Sequence, residues 1–294
     1  MSHGATIIIP TKDRPHGLRI AVTSALTACA HAKRGDILVV DDHSGLPAAD
    51  SLADISADNL SIVVNERTRG PAGARNYGVD STAASTILFL DDDDAMVEDY
   101  IARILKFRAT GQEGEAVFGF CAVSGKGERR ELPSKSMQLT ANTELAARLF
   151  PLSAGVWTDR KAFLSVGGLD EELRINEDTD YCLKMAAAGY LPYFDSRLGV
   201  IINAGREMTG TNDAASITKQ SRAHERELAF RRLLAKHQIL LSAHPSVRDQ
   251  FASRVAKYIA RDRSFVEAAK FALRQPRGRF KASVASIVGS MTKE

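Results

Sequence analysis

The chain's capacity for chemistry lies in carboxylates that close short apolar runs. In residues 85–94, Ile87-Leu88-Phe89-Leu90 runs straight into Asp91-Asp92-Asp93-Asp94. Adjacent carboxylates repel one another and are costly to desolvate, so a cation is expected among them. Hard divalent cations take carboxylate oxygens, and Mg2+ or Mn2+ shared with a substrate phosphate is the common arrangement. The competing interpretation is a solvated acidic turn that caps the next helix. Asp41-Asp42 closes a second apolar run, and Glu177-Asp178-Thr179-Asp180 opens a helical stretch. Acidic residues suit a helix start, but no packing demand brings Glu177, Asp178 and Asp180 together.

Strands must carry these groups to a common edge. Thr6-Ile7-Ile8-Ile9-Pro10 is a short β-branched run, followed by the loop Thr11-Lys12-Asp13-Arg14-Pro15. Apolar residues at helical spacing predict a helix over 17–30. Strand two covers 36–42, a weaker helix 47–56, strand three 60–64, and strand four the opening run. Alternating strands and helices predict a parallel sheet with helices on both faces. Ligands of such sheets bind outside the carboxyl ends of the strands. Thr11 to Arg14, Asp41, Asp42 and Asp91 to Asp94 all fall at that rim. Between strands three and four, Arg69-Gly70-Pro71-Ala72-Gly73-Ala74-Arg75 is a glycine-rich loop opening a helix. Such a junction offers backbone N–H groups to an anion, with Arg67, Arg69 and Arg75 adding charge. It lacks the GxxxxGK[ST] pattern of a P-loop.

Further on, the pattern predicts a helix over 97–107, a strand over 116–123 and a mobile turn-rich loop over 125–136. Helices follow over 145–150 and 161–166, and another from 177 that stops at Gly189. Short strands are expected over 191–194 and 198–202. Beyond about 216 the chain reads as nearly continuous helix, broken at His244-Pro245 and Pro276. We therefore divide the chain into a domain over 1–215 and a basic helical extension over 216–294.

The 294 residues are 44% hydrophobic and 26% charged, a globular composition. Cys29, Cys121 and Cys182 are scattered, with no CxxC pair, which argues against a disulfide framework or zinc site and fits a reducing compartment. No basic n-region precedes the first strand and no apolar run reaches ~20 residues, so a cytoplasmic protein is expected. The net charge of +3 hides an asymmetry: residues 217–294 carry 17 Lys and Arg against 6 Asp and Glu, or +11, leaving −8 elsewhere. The basic tail, with Phe280, Val284, Ile287 and Val288 on one face of 277–289, suits either peripheral contact with an anionic membrane or docking on the acidic body. No nucleic-acid partner is expected.

Six segments in series resemble the family-2 glycosyltransferases of the GT-A fold, across residues 5–205. They are Ile7-Ile8-Ile9-Pro10-Thr11 with Arg14, Val39-Val40-Asp41-Asp42, Gly70-Pro71-Ala72-Gly73-Ala74-Arg75-Asn76, Phe89-Leu90-Asp91-Asp92-Asp93-Asp94, Val166-Gly167-Gly168-Leu169-Asp170-Glu171 and Glu177-Asp178-Thr179-Asp180. The resemblance implies an α/β, Rossmann-like, mostly parallel mixed sheet flanked by helices. It also implies metal-dependent, inverting transfer from a nucleotide-sugar, typically a UDP-sugar, to a glycan or lipid-linked acceptor.

Carried over by position, Pro10, Thr11 and Arg14 lie by the nucleotide, Asp42 accepts from the base, and Arg75 lies near the diphosphate or base. Asp91, Asp92 and Asp93 form the donor-binding DxD run, with Asp93 or Asp94 as the metal ligand. Asp178 matches the general base. Gly168, Leu169 and Asp170 match a segment near donor sugar and acceptor, with Glu177 and Trp157 as further candidates; core packing is the equal alternative for Trp157. Relatives often carry a His after the last strand. Here the segment reads Asn203-Ala204-Gly205-Arg206, and Arg206 is the candidate for neutralising phosphate.

Other classes fit less well. An inactive GT-A subunit would not need intact Asp91, Asp93 and Asp178. A response-regulator receiver starting near Asp36 would leave the preceding strand and helix unexplained.

Overall fold

The protein is described from a computed structural model, which covers residues 4–110, 116–124, 133–204 and 221–274. Strand β1 (Ala5–Thr11) is buried along its whole length. It pairs in parallel with β2 (Asp36–Asp41) on one side and β4 (Thr86–Phe89) on the other, and β2 pairs in parallel with β3 (Leu60–Val64). Helix α1 (Pro15–Ala32) follows β1, α2 (Ala48–Ser51) follows β2, and α3 (Pro71–Asp80) joins β3 to β4.

The rest of the sheet is mixed. After the short β5 (Ala95–Met96) come α4 (Tyr100–Ala109), β6 (Phe118–Ser124) and β7 (Met137–Gln138). A 3-10 turn (Leu145–Arg148) precedes β8 (Trp157–Asp159), α5 (Arg160–Ser165), α6 (Glu177–Ala187) and β9 (Tyr193–Ile201). The strand order is β3-β2-β1-β4-β8-β6-β9-β5, with β7 also on β9. β8 runs antiparallel between β4 and β6, and β6 is parallel to β9.

Successive side chains of β1 feed two core layers, as strand periodicity requires. Ile7 and Ile9 join Val39, Leu88 and Trp157 under α1 and α4. Ile8 joins Val40, Ile87 and Phe89 under α3, α5 and α6. Burial on both faces is why the strands read as unbroken apolar runs. On the second face α3 lies close: a Cβ on Gly78 would stand 2.6 Å from Ile8 Cγ2.

Several expectations change. The helix expected over 145–150 is a single 3-10 turn, and the two-residue strands β5 and β7 were not foreseen. The strands expected over 191–194 and 198–202 are one strand, β9, whose register against β6 shifts at Cys121/Ala122, so the bulge breaks the pattern without breaking the strand. Strand β8 was not foreseen, because three residues carry no periodicity. The weak helix after β2 shrinks to one turn.

Among the described residues, four helices follow residue 221: α7 (Ala223–Lys236), α8 (Gln238–Ala243), α9 (Pro245–Asp262) and α10 (Phe265–Leu273). The break at His244-Pro245 occurs, with Pro245 opening α9, and a further break falls at His237. Ala229, Leu233, Leu241, Val247 and Phe251 enter the same core cluster as Ile8 and Phe89. Pro276, the basic segment 277–289, most of the loop over 125–136 and the 215/216 boundary lie outside the described residues. Among the described residues no helix is long and apolar enough to cross a membrane.

Candidate active site

The carboxyl ends of β1, β2 and β4 bring the acidic runs to one rim. Pro10 is buried in register with Val40, which seats Thr11 at the end of β1. Thr11 Oγ1 donates to Asp92 Oδ2 at 2.8 Å, and Arg14 Nη1 donates to Asp92 Oδ1 at 2.8 Å while lying 3.4 Å from Asp93 Oδ2. Burial pushes the Asp92 carboxyl up to about 6, against the pull of Arg14. Asp92 thus ties the acidic run back to the β1 loop.

Those neighbours converge. One carboxylate oxygen from each of Asp91, Asp93 and Asp94 lies within 4.8 Å of the others. Burial and repulsion from Asp91 and Asp93 push the Asp94 carboxyl well above its ordinary range, although Asn203 N–H donates to its Oδ1 at 2.8 Å. An all-oxygen set of three carboxylates, only partly offset by Arg14 and Arg75, fits a hard divalent cation.

Asp42 is held at the end of β2 by Asn65 Nδ2 at 2.7 Å and Gly70 N–H at 2.9 Å. Asp41 instead accepts from Ser44 and Ala48 N–H groups, both at 2.8 Å, and shapes the turn into α2. Gly70 adopts φ +124, open to glycine, as the cap of α3.

Arg75, buried in α3, joins the rim to the other acidic cluster. Its Nη2 lies 2.5 Å from Asp91 Oδ1 and its Nη1 3.2 Å from Glu177 Oε1, while its buried Nε has no acceptor. Glu177 and Asp178 form the first turn of α6 behind Asn176, which takes a left-handed backbone (φ 64). Asp178 Oδ1 accepts from Thr179 N–H at 2.6 Å. Burial pushes the pKa of both carboxyls up, toward the protonated form, for Glu177 with repulsion from Asp178 added.

The model of the family described as glycosyl transferase family 2 matches residues 6–165. The chain belongs to glycosyl transferase family 2. The pre-mycofactocin glycosyltransferase of Mycobacterium tuberculosis is 26% identical over 63% of this chain, which spans only 39% of that protein's length. The succinoglycan biosynthesis protein ExoU of Rhizobium meliloti is 26% identical over 97% of this chain and 86% of its own. Among solved structures, S. aureus TarS 1-349 in complex with UDP-GlcNAc has a TM-score of 0.62 at 14% identity, covering 98% of this chain and 81% of that one. The architecture, a mixed sheet flanked by helices, is the GT-A fold.

In this family-2 chain the segment Gly168-Leu169-Asp170 meets the rim through its backbone. Asn76 Nδ2 donates to Leu169 O at 3.0 Å, and Leu169 N–H donates to Asn76 Oδ1 at 2.9 Å. Lys184 Nζ of α6 donates to Gly168 O at 2.5 Å. The side chains point elsewhere: Leu169 enters the core, and Asp170 accepts from Arg232 Nε at 3.0 Å and Lys236 Nζ at 2.9 Å of α7. The expected sugar contact by Trp157 is corrected. Its side chain is fully buried, edge-on to Phe107 in the layer under α1 and α4. Arg206 lies outside the described residues.

Asn65, Asn76, Lys184 and Asn203 were missed. Asn65 follows strand three directly, so the strand-end rule that selected Thr11 and Asp42 would have found it. The other three are joined only by tertiary contacts.

Proposed function

We propose that the chain transfers a sugar, with inversion, from a nucleotide-sugar to a hydroxyl of a glycan or lipid-linked acceptor, with a UDP-sugar as donor and Mn2+ or Mg2+ as cofactor. The carrying observation is the division of labour between acidic groups. Asp91, Asp93 and Asp94 gather at the strand rim, while Asp178 stands on a separate element, whose neighbouring Glu177 is linked to Asp91 through Arg75. The similarity to relatives, one of them a succinoglycan biosynthesis protein, supports a glycoconjugate product.

Asp93 and Asp94 are the residues suited to hold the metal, which when bound supplies charge neutralisation to the departing diphosphate. Asp42 and Asn65 border the base side of the rim, and Thr11 and Arg14 border the nucleotide. Arg75 holds Asp91 and Glu177 at fixed distance and so keeps the base helix facing the donor. Asp178, raised by burial, takes the proton of the acceptor hydroxyl. The freed oxygen pair bonds to the anomeric carbon, the bond from that carbon to the phosphate oxygen breaks, and the nucleoside diphosphate leaves with that electron pair. A single displacement needs one base, which inverts the anomeric centre.

Calorimetric titration of UDP and GDP, each with and without Mn2+, tests this. Metal-dependent UDP binding that is lost in Asp93→Ala is the expected result. Tighter GDP binding redirects the donor; binding of neither nucleotide sinks the proposal.

A further inference from the structure

Arg75 and Arg148 are both buried. Their surroundings are opposite. Arg75 sits between two carboxylates. Arg148, 7% exposed at the end of the 3-10 turn, has no carboxylate and no hydrogen-bond acceptor among the described residues, and its Nε is sealed from solvent. Burial alone acts on its acidity, pulling the guanidinium below its ordinary value with no opposing partner.

A largely buried charge with no counter-ion is costly to desolvate. Nor is the side chain loosely placed. Leu145, Leu149 and Phe150 around it are anchored in the core. The turn packs against α6 and α9. Cys182 Sγ of α6 lies 3.5 Å from Phe150 O. Arg148 is therefore held beside the helix whose first turn carries Glu177 and Asp178, on a different element from the nucleotide rim.

We propose that Arg148 anchors an anion subsite beside α6 that takes a phosphate or carboxylate group of the acceptor. This rests on the transferase proposal above and deepens it by naming the acceptor's chemistry. A guanidinium in a fixed site favours planar or tetrahedral oxyanions through paired N–H donors. A lipid-linked diphosphate and an acidic glycan both supply such a group.

The test follows arginine Nε–Hε signals by NMR in the full chain, with Arg148 assigned through Arg148→Lys. Inorganic pyrophosphate and digalacturonate are the probes, titrated in an Asp93→Ala background so that binding at the rim does not contribute. We expect the Arg148 signal to shift saturably, half-way by ~1 mM, and the effective probe to raise the melting temperature. That rise is expected to vanish in Arg148→Met. A response to pyrophosphate alone identifies the phosphate source, to digalacturonate alone the carboxylate source, and to both an anion subsite without preference. No shift at ~10 mM, a shift that never saturates, or anion stabilisation retained in Arg148→Met overturns the subsite. Should Arg148→Met not fold, the titration decides alone. UDP binding by the wild type is measured separately, so either proposal can fail without the other.

Discussion

The side-chain amide of Asn76 is bonded by the backbone of Leu169 as one strand bonds another, with reciprocal N–H···O contacts of 3.0 and 2.9 Å. The pair fastens α3, which carries Arg75, to the segment before α6. Gly168 completes the fit: it takes φ +58, and a Cβ there would stand 2.8 Å from Asn76 Oδ1. Asn76→Ala leaves the Leu169 N–H and C=O without partners, at a cost of about 1–3 kcal/mol. Urea unfolding checks the loss; an unchanged midpoint would mean that water replaces the amide.

Asp178→Asn tests the base. Transfer is expected to fall by about 10²–10⁴-fold, with UDP binding retained. Joint loss of both would make Asp178 a structural or metal-binding group instead.

Asp180 lies two residues further along α6 and carries a buried charge cluster. His237 Nε2 lies 2.7 Å from Asp180 Oδ1, and Lys236 and Lys184 Nζ lie 2.9 and 3.2 Å from Oδ2. Burial opposes ionisation, but the bonds from His237 and Lys236 prevail and bring the carboxyl down to about 2. A depressed carboxyl contributes stability above its unfolded value, near 4, and loses it as the pH falls toward 2. The contribution is on the order of 2 kcal/mol. Acid titration of stability should show this loss in the wild type and lack it in Asp180→Asn, which should also be weaker near neutrality.

Much of the rim was legible because strand ends are local. Apolar runs stopping at Thr11, Asp42 and Asp91 mark both the strand and the end that reaches the common rim. What was not legible is long-range. Arg75 reads as a phosphate ligand, yet its charge is met by Asp91, 16 residues on, and by Glu177, 102 residues on. Asp170 reads as sugar-facing, but Arg232 and Lys236 of α7 take it. Trp157 looked ambiguous because β8, which buries it, is too short to show a period.

Trp157→Phe is accordingly expected to cost stability, about 1–3 kcal/mol through the cavity left under α4, and to leave the donor KM unchanged. A raised KM with unchanged stability would restore the residue to the substrate side.

Gly73 admits no side chain: a Cβ there would collide with the Thr68 carbonyl oxygen. Gly73→Ala must therefore push the loop before α3 outward, and with it the Gly70 N–H that holds Asp42. Weaker UDP binding is the expected readout. Wild-type affinity would show that the loop yields without disturbing Asp42.

The pairing of Asp180 with His237 also sets an order of events during synthesis. A ribosome completes the strands, the acidic rim and α6 before it reaches His237, 57 residues beyond Asp180. Chains fold largely from the N-terminus as they emerge. Until α7 arrives, Asp180 has neither Lys236 nor His237, and Asp170 lacks Arg232. A nascent chain can thus own every strand of its nucleotide rim while the helix bearing Asp178 still waits for its last counter-charges.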